Sequence, residues 1–437
     1  MVFIVIGVML LLYSVVNYKK AFLLYMLFEI IWFPNTKIIV LSGIPSIPLY
    51  LMTSFGFFVI YLFKKQKYEK YNSKLSICPF FYPLLFVTLS RFITCFFSVA
   101  GFFDEFPRAL GYLFYNFLEV MIMWNIVETE DDFKFLIKGF VLIFFIAEIY
   151  GLVGYITQSN IVFEYKSSLT PEGLAEYYYG KDSERGYRLC SIFEHPIGAG
   201  MTFGLLSIFI IYLYFYKGKK YPYKCLAFIT CTLGILCVIL TKMRAGILFT
   251  IFASGIVIKM SNKKTYKIII LLLSILVITF PLYKNYLNIV LSIFDSNASS
   301  KVGGSNAQMR FEQLSASIEL MKLSPIGGLG ERFMVLIKNQ YIDKILAMES
   351  FIFEELCKHG LVGLISTIYL VIISVFKIPY KFKVREIFWI SFALWGIYTL
   401  TSIPFFRMNL YYIVVFYFIK NSQLYIESKI VKREEDL

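Results

Sequence analysis

Apolar runs of membrane-spanning length recur along almost the whole of this chain, and they constrain it more than any other feature. They cover about 1–17, 21–41, 47–63, 76–100, 108–127, 135–157, 192–216, 225–241, 245–260, 267–290, 351–376, 386–405 and 408–420. A helix needs about 20 apolar residues to cross the roughly 30 Å hydrocarbon core. The pattern therefore predicts an all-α, polytopic membrane protein of about 12–13 transmembrane helices. Composition agrees: 58% of the 437 residues are hydrophobic and 16% charged, with mean hydropathy +0.69. A soluble enzyme is excluded, because globular domains carry about 25% charged residues. No loop is long enough for a separate soluble domain, so residues 1–437 read as one polytopic domain.

Lysine orders the topology. It clusters at Lys19 and Lys20, at 64–74, at Lys134 and Lys138, at 217–224, at 259–267, at 377–385 and in the tail from Lys429 to Arg433. Excess lysine marks cytoplasmic loops, so every second loop faces the cytoplasm, with the N-terminus outside and the C-terminus inside. The formal charge of +14 is then a membrane signature. It does not point to nucleic acid. Residues 1–16 lack a basic flank and a small-residue cleavage site, and read as a retained span. Five of the seven cysteines (Cys78, Cys95, Cys225, Cys231, Cys237) sit in apolar runs and read as small core residues. Two loops of substance remain for the outer face, residues 158–190 and about 285–350.

Arginine, unlike lysine, gathers at that outer face: Arg91, Arg108, Arg185, Arg188, Arg244, Arg310, Arg332 and Arg407. Its planar fork suits phosphate, and an arginine within a span, such as Arg91, is costly enough to mark function. The bland alternative is that each snorkels to headgroups or pairs with Glu176 or Glu184. In the larger loop, Asn306–Met321 places Phe311, Leu314, Ile318 and Met321 on one helical face, suited to the outer membrane interface. The turn Ser324-Pro-Ile-Gly-Gly-Leu-Gly330 follows, and its glycines would let backbone amides approach an anion. His195 and His359 lie in no metal-ligand motif, His359 reading as a packing residue, and no nucleotide-binding fingerprint occurs. Chemistry on the outer side would thus use an already activated substrate, such as a lipid diphosphate.

Three segments together carry a resemblance: Arg188-Leu-Cys-Ser-Ile-Phe-Glu-His-Pro-Ile-Gly198, Thr241-Lys-Met-Arg-Ala-Gly246, and the stretch from Arg310 through the 324–330 turn to Glu349-Ser-Phe-Ile-Phe-Glu-Glu-Leu-Cys-Lys-His-Gly-Leu-Val-Gly363. The pattern resembles the O-antigen polymerase and ligase superfamily over roughly residues 185–375. In ligase members a His-Asn pair precedes the closing G-L-x-G by eleven residues; the matching position here is Glu349. That departure favours a polymerase over a ligase. The resemblance implies a GT-C-like glycosyltransferase fold with a large outward loop between late helices, in the bacterial cytoplasmic (inner) membrane. It implies inverting, metal-independent transfer without a cofactor, joining undecaprenyl-diphosphate-linked repeat units into O-antigen or capsular polysaccharide. A chain-length regulator protein is the implied partner.

Roles follow from that reaction. The leaving diphosphate needs converging cations, assigned to Arg188, Arg244 and Arg310, with Arg91 and Arg407 as additions. Glu349 is the candidate base, with Glu194 second; alternatively Glu349 or Ser350 merely caps the helix that begins near Phe351. Glu194, His195, Gly328 and Gly330 are candidate substrate contacts, although His195 equally suits a structural hydrogen bond. Ligase or O-oligosaccharyltransferase is the second reading. A lipid-linked oligosaccharide flippase would spread its charges through the bilayer rather than at one face, and the intramembrane Arg91 speaks against a bare scaffold.

Overall fold

The computed structural model describes residues 2–31, 37–41, 44–67, 75–162, 164, 186–193, 196–216, 224–260, 307–334, 348, 350–399 and 408–422. In chain order its helices and strands are α1 (Val2–Val16), α2 (Tyr18–Ile31), β1 (Lys37–Leu41), β2 (Ile44–Pro48), α3 (Leu49–Lys67), α4 (Phe81–Thr94), α5 (Phe102–Tyr112), α6 (Glu119–Ile126) and α7 (Glu130–Thr157). There follow α8 (Pro196–Ile210), α9 (Lys224–Leu240), α10 (Arg244–Met260), α11 (Ala307–Leu323), α12 (Phe351–Ile372), α13 (Ile378–Phe382), α14 (Arg385–Tyr398) and α15 (Met408–Lys420). Helix dominates, as the apolar runs require.

One stretch departs from the all-α expectation. The runs 21–41 and 47–63 are not two long spans: α2 stops at Ile31, and β1 pairs antiparallel with β2 before α3 begins. Pro34 disfavours a helical residue before it, the β-branched Ile38-Ile-Val40 favours a strand, and Pro45 and Pro48 are tolerated because both strands of a two-stranded pair are edges.

Among the described residues, three helices are long and apolar enough to cross a membrane: Glu130–Thr157, Pro196–Leu213 and Phe351–Phe382. The apolar window of Pro196–Leu213 is 94% buried, against 44% for the other two, so it forms the middle of the bundle while they expose a face. Close packing there uses small residues: Gly200 and Gly204, four apart on α8, meet Thr241, Met243, Phe249 and Thr250 of the α9–α10 hairpin.

The lysine-bearing end is tied by charge. Lys19 pairs with Asp132 at 2.7 Å, and Asp132 closes a capping box with Thr129 at the start of α7. The Lys420 ammonium donates to the Trp124 and Val127 carbonyls, supplying a cation where α6 leaves its last carbonyls unpaired. These contacts gather α2, α6, α7 and α15 at one end and leave the other to the loops with arginine.

Candidate functional site

The helix Phe351–Phe382, at 32 residues, is about 48 Å long, well beyond the roughly 30 Å hydrocarbon core. It is broken at Gly360, whose φ of 61° and ψ of −158° are not helical. A break in a helix orphans carbonyls before it and amides after it. The 324–330 turn supplies both missing sets. The amides of Leu329 and Gly330 donate to the carbonyls of Cys357 and Lys358 at 2.8 and 2.9 Å, and those of Leu361 and Val362 donate to Pro325 and Ile326 at 2.9 and 3.3 Å. Gly328 has φ +74°, and a Cβ there would collide with the Lys358 carbonyl and the His359 amide. The Gly328 amide itself donates to Ser324 at 3.0 Å. The turn expected to cradle an anion therefore has the amides of Gly328, Leu329 and Gly330 all committed to carbonyls. Its glycines are required by close backbone packing.

Around this knot lies a dense charged network. Arg91 of α4 donates through Nη2 to Glu355 Oε1 at 2.8 Å and lies 5.1 Å from the centre of the Tyr112 ring. Thr367 donates to the other oxygen of Glu355 at 3.2 Å. His359 is not the packing residue its span suggested. Its Nδ1 is 3.0 Å from Thr94 Oγ1, and its Nε2 is 3.3 Å from Glu331 Oε1. Lys358 bridges Glu331 and Glu354 at 2.6 Å each. The Glu331 amide donates to the Glu105 carboxylate at 3.1 Å, and Arg332 stands 3.6 Å from Asp104. Burial alone would raise the Glu331 carboxyl, but the Lys358 charge and the contact with His359 hold it well below the usual carboxylate range. Arg91, expected to bind diphosphate, is thus buried and already neutralised by an internal carboxylate.

A second charged region forms where the segment 186–193 lies across the end of α9. Leu189 N donates to Leu240 O at 3.0 Å, Arg188 Nε donates to Thr241 O at 3.1 Å, and Ser191 Oγ donates to Ala147 O at 2.5 Å. Arg188 thereby caps carbonyls at a helix C-terminus. Lys242, in the left-handed region at φ 51°, reaches over the Tyr155 ring at 5.8 Å, and Tyr155 meets Tyr187 edge-on at 5.9 Å. Burial, and then the Arg188 charge, lower the Lys242 pKa. Arg244 begins α10 three residues after Thr241, so Arg188 and Arg244 flank one turn.

Arg310 lies half-buried in the first turn of α11. That helix forms where the sequence predicts one, but its protein-facing side is Gln313, Ala316, Ser317 and Leu320. The predicted apolar face points outward, with Phe311 and Ile318 exposed. Glu349, Glu194, His195 and Arg407 lie outside the described residues. Ser350 stands at the cap of α12 without a side-chain capping bond.

Sequence reasoning missed the acids. Asn409 donates to Glu29 and Glu119 at 2.9 and 2.6 Å in the bundle interior, where Tyr25 and Ser54 also donate to Glu119. Glu148 is 1% exposed beside Gly234 and Ser207. A carboxylate inside an apolar run was the available signal.

Residues 229–368 match a family model described as O-antigen ligase. The match runs from α9 through the 241–244 turn, α11 and the glycine knot into α12. Over that stretch the chain is similar to the O-antigen polymerase and ligase superfamily. The match supports a role in lipid-linked glycan processing, and the three helices long and apolar enough to cross a membrane support a membrane protein. A search of curated proteins finds no match.

Proposed function

We propose that this protein is a member of the O-antigen polymerase and ligase superfamily and is the polymerase that joins undecaprenyl-diphosphate-linked repeat units into O-antigen or capsular polysaccharide. It works at the outer face of the bacterial cytoplasmic membrane on a GT-C-like scaffold of about 12–13 helices. The observation that supports this best is the cation-bearing turn, with Arg188 docked on Thr241 and Arg244 opening the next helix. A hydroxyl oxygen of one repeat unit attacks the anomeric carbon of another, with inversion. The bond from that carbon to the diphosphate oxygen breaks, and the lipid diphosphate leaves with both electrons. Arg188, Arg244 and Arg310 take its charge. Glu349 takes the acceptor proton as general base, with Glu194 or His195 as a sugar contact. Arg407 is a further cation for the leaving group, whereas Arg91 belongs to the internal network with Glu355. A chain-length regulator is the expected protein partner.

The ligase reading is supported by the description of the matching family model. The two separate in a strain lacking the chain. A polymerase loss leaves a surface glycan of one repeat unit, restored to a ladder by the wild type but not by Glu349→Ala. A lipid-linked polymer accumulating inside, with nothing on the surface, would establish the ligase. Single units trapped on the cytoplasmic leaflet would mean a flippase and refute both.

A further inference from the structure

The outer tip of the α4–α5 hairpin exposes aromatic rings that neither charged region uses. Phe96 is 77% and Phe103 85% exposed. Both belong to a ring cluster: Phe96 lies 5.3 Å from Phe102, which lies 5.7 Å from Phe103 and stacks on Phe106 at 5.2 Å. The helix that carries them fixes their depth. α5 runs through the π-helical segment Leu113–Leu118 into α6, so the helix is continuous from Phe102 to Ile126. Charge marks its inner end, where Lys420 meets the Val127 carbonyl and Lys19 meets Asp132. From Ile126 to Phe103 is about 35 Å at 1.5 Å per residue, or about 33 Å along the membrane normal at an average tilt of about 20°. The hydrocarbon core is about 30 Å thick, and the bilayer with its headgroups about 40–45 Å. Phe103 therefore lies just past the hydrocarbon, in the headgroup layer. Asp104 beside it is exposed and meets Arg332 at 3.6 Å, as charged groups at that depth can.

The neighbouring surface says what covers these rings. One side of α4 packs on α12, which is long enough to cross a membrane, through Arg91 with Glu355 and Ser90 with Ser366. Its other side exposes Phe86 and Leu89, next to Ile365 and Ile368 exposed on α12, with Phe86 edge-on to Tyr369 at 5.6 Å. The chain keeps turning past Thr94, so Phe96 extends this apolar stripe into the layer where aromatic side chains concentrate. We propose that the tip seats Phe96 and Phe103 in the outer-leaflet interface and thereby holds the 327–332 segment at headgroup depth. The ties between the two are direct. The Val99 amide donates to the Leu329 carbonyl at 3.0 Å, the Glu105 carboxylate accepts the Glu331 amide at 3.1 Å, and a Cβ on Gly327 would collide with the Phe97 ring. The partner is the lipid surface itself, so the inference stands for a polymerase and a ligase alike. Its consequence is that Glu331 and Arg332 stand level with the headgroups, the depth at which the head of a lipid-linked glycan lies.

The test uses the full chain in nanodiscs of phosphatidylethanolamine and phosphatidylglycerol, with Cys225→Ser removing the exposed cysteine. Spin labels are attached singly at Phe96→Cys and Phe103→Cys, with Asp131→Cys as the water reference and Ile365→Cys as the lipid reference. All four side chains are exposed, so none of the substitutions empties a core position. The ratio of oxygen to nickel-chelate accessibility at Phe96 and Phe103 is expected to fall between the two references, which is the interface. A ratio at both positions equal to that at Asp131 would put the tip in water and overturn the inference. So would a tip that is open to the chelate in empty nanodiscs and becomes shielded only when a lipid-linked glycan is added, because the rings would then be a sugar platform. The second half is read without labels. Phe96→Ser/Phe103→Ser removes the seated rings, and amide exchange at Val99, Leu329 and Glu331 in nanodiscs should rise about tenfold while exchange in α8 stays unchanged. Exchange at the wild-type rate in this variant would show that lipid seating does not hold the segment, and would overturn the inference.

Discussion

Two charged regions face the arginine-rich end of the bundle, and they are built on opposite principles. Around Glu331, the cations Arg91 and Lys358 meet carboxylates at 2.6 to 2.8 Å, inside a knot of backbone hydrogen bonds. At the α9–α10 turn, Arg188 docks on the Thr241 carbonyl beside Lys242, whose proton affinity is lowered by burial and then by the Arg188 charge. The first region has matched its charges internally, which is what a buried ion pair must do to persist. The second places Arg188 and Lys242 close together at a partly exposed turn, where Arg188 also ends a helix. An arginine inside a span is thus not by itself a ligand site.

The most severe way to break this comparison is to remove one partner from the matched region. Arg91→Met leaves Glu355 buried beside Thr367 with no cation, and is expected to destabilise the protein by about 3–5 kcal/mol. The double variant Arg91→Met/Glu355→Met should recover most of that loss, measured by thermal unfolding in detergent. A double variant as unstable as the single one would show that the pair is not an isolated internal clamp. Somewhat smaller is the effect of Gly328→Ala, which places a Cβ against the Lys358 carbonyl at φ +74°. Strain of this kind costs on the order of 1–3 kcal/mol. It should appear as faster amide exchange at Leu329, Gly330, Leu361 and Val362, the four donors of the knot. Unchanged exchange would separate the glycine from the helix break.

The cation-rich turn should respond differently. Arg188→Ala removes a cap from the end of α9, worth about 1 kcal/mol of stability, yet should weaken binding of lipid diphosphate by about tenfold or more. Stability and binding thus part company here, whereas at Arg91 they fall together. An Arg188→Ala variant that loses stability like Arg91→Met, and loses no affinity, would merge the two regions into one structural scaffold.

Much of this was legible in the sequence, for physical reasons that differ by element. The spans at 135–157, 192–216 and 351–376 were readable because apolar length is a one-dimensional property. The helix over 307–323 followed from its periodicity, but not the face it turns to the protein, because Gln313 and Ser317 are buried against α12. Arg188 and Arg244 were singled out because each falls in a motif of the resemblance, whereas the docking of Arg188 on Thr241, 53 positions away, rests on tertiary contact. The pairing of Arg91 with Glu355, 264 positions apart, and the insertion of a glycine turn into the Gly360 break depend on tertiary contact and leave no local pattern. Glu331, Lys358 and Glu148 were visible as charges, but a charge does not announce its partner.

The smallest expected effect concerns pH and sharpens the contrast from the other side. Glu331 has a folded-state pKa well below the usual carboxylate range, because Lys358 and His359 outweigh its burial. A depressed carboxylate contributes stability that is fully present above its unfolded pKa, about 4.3 for a glutamate, and is lost as pH falls through the folded value. Mild acid at about pH 5 should therefore leave the 324–334 segment docked, with loosening only at distinctly lower pH. Limited proteolysis of this segment across that range checks the sign. Glu331→Gln removes the charge at every pH, so its digestion should lose this acid dependence while the wild type keeps it. If wild type loosened already near pH 5 and Glu331→Gln did the same, the carboxylate would not be what fastens the loop to α12, and the glycine knot alone would hold it there.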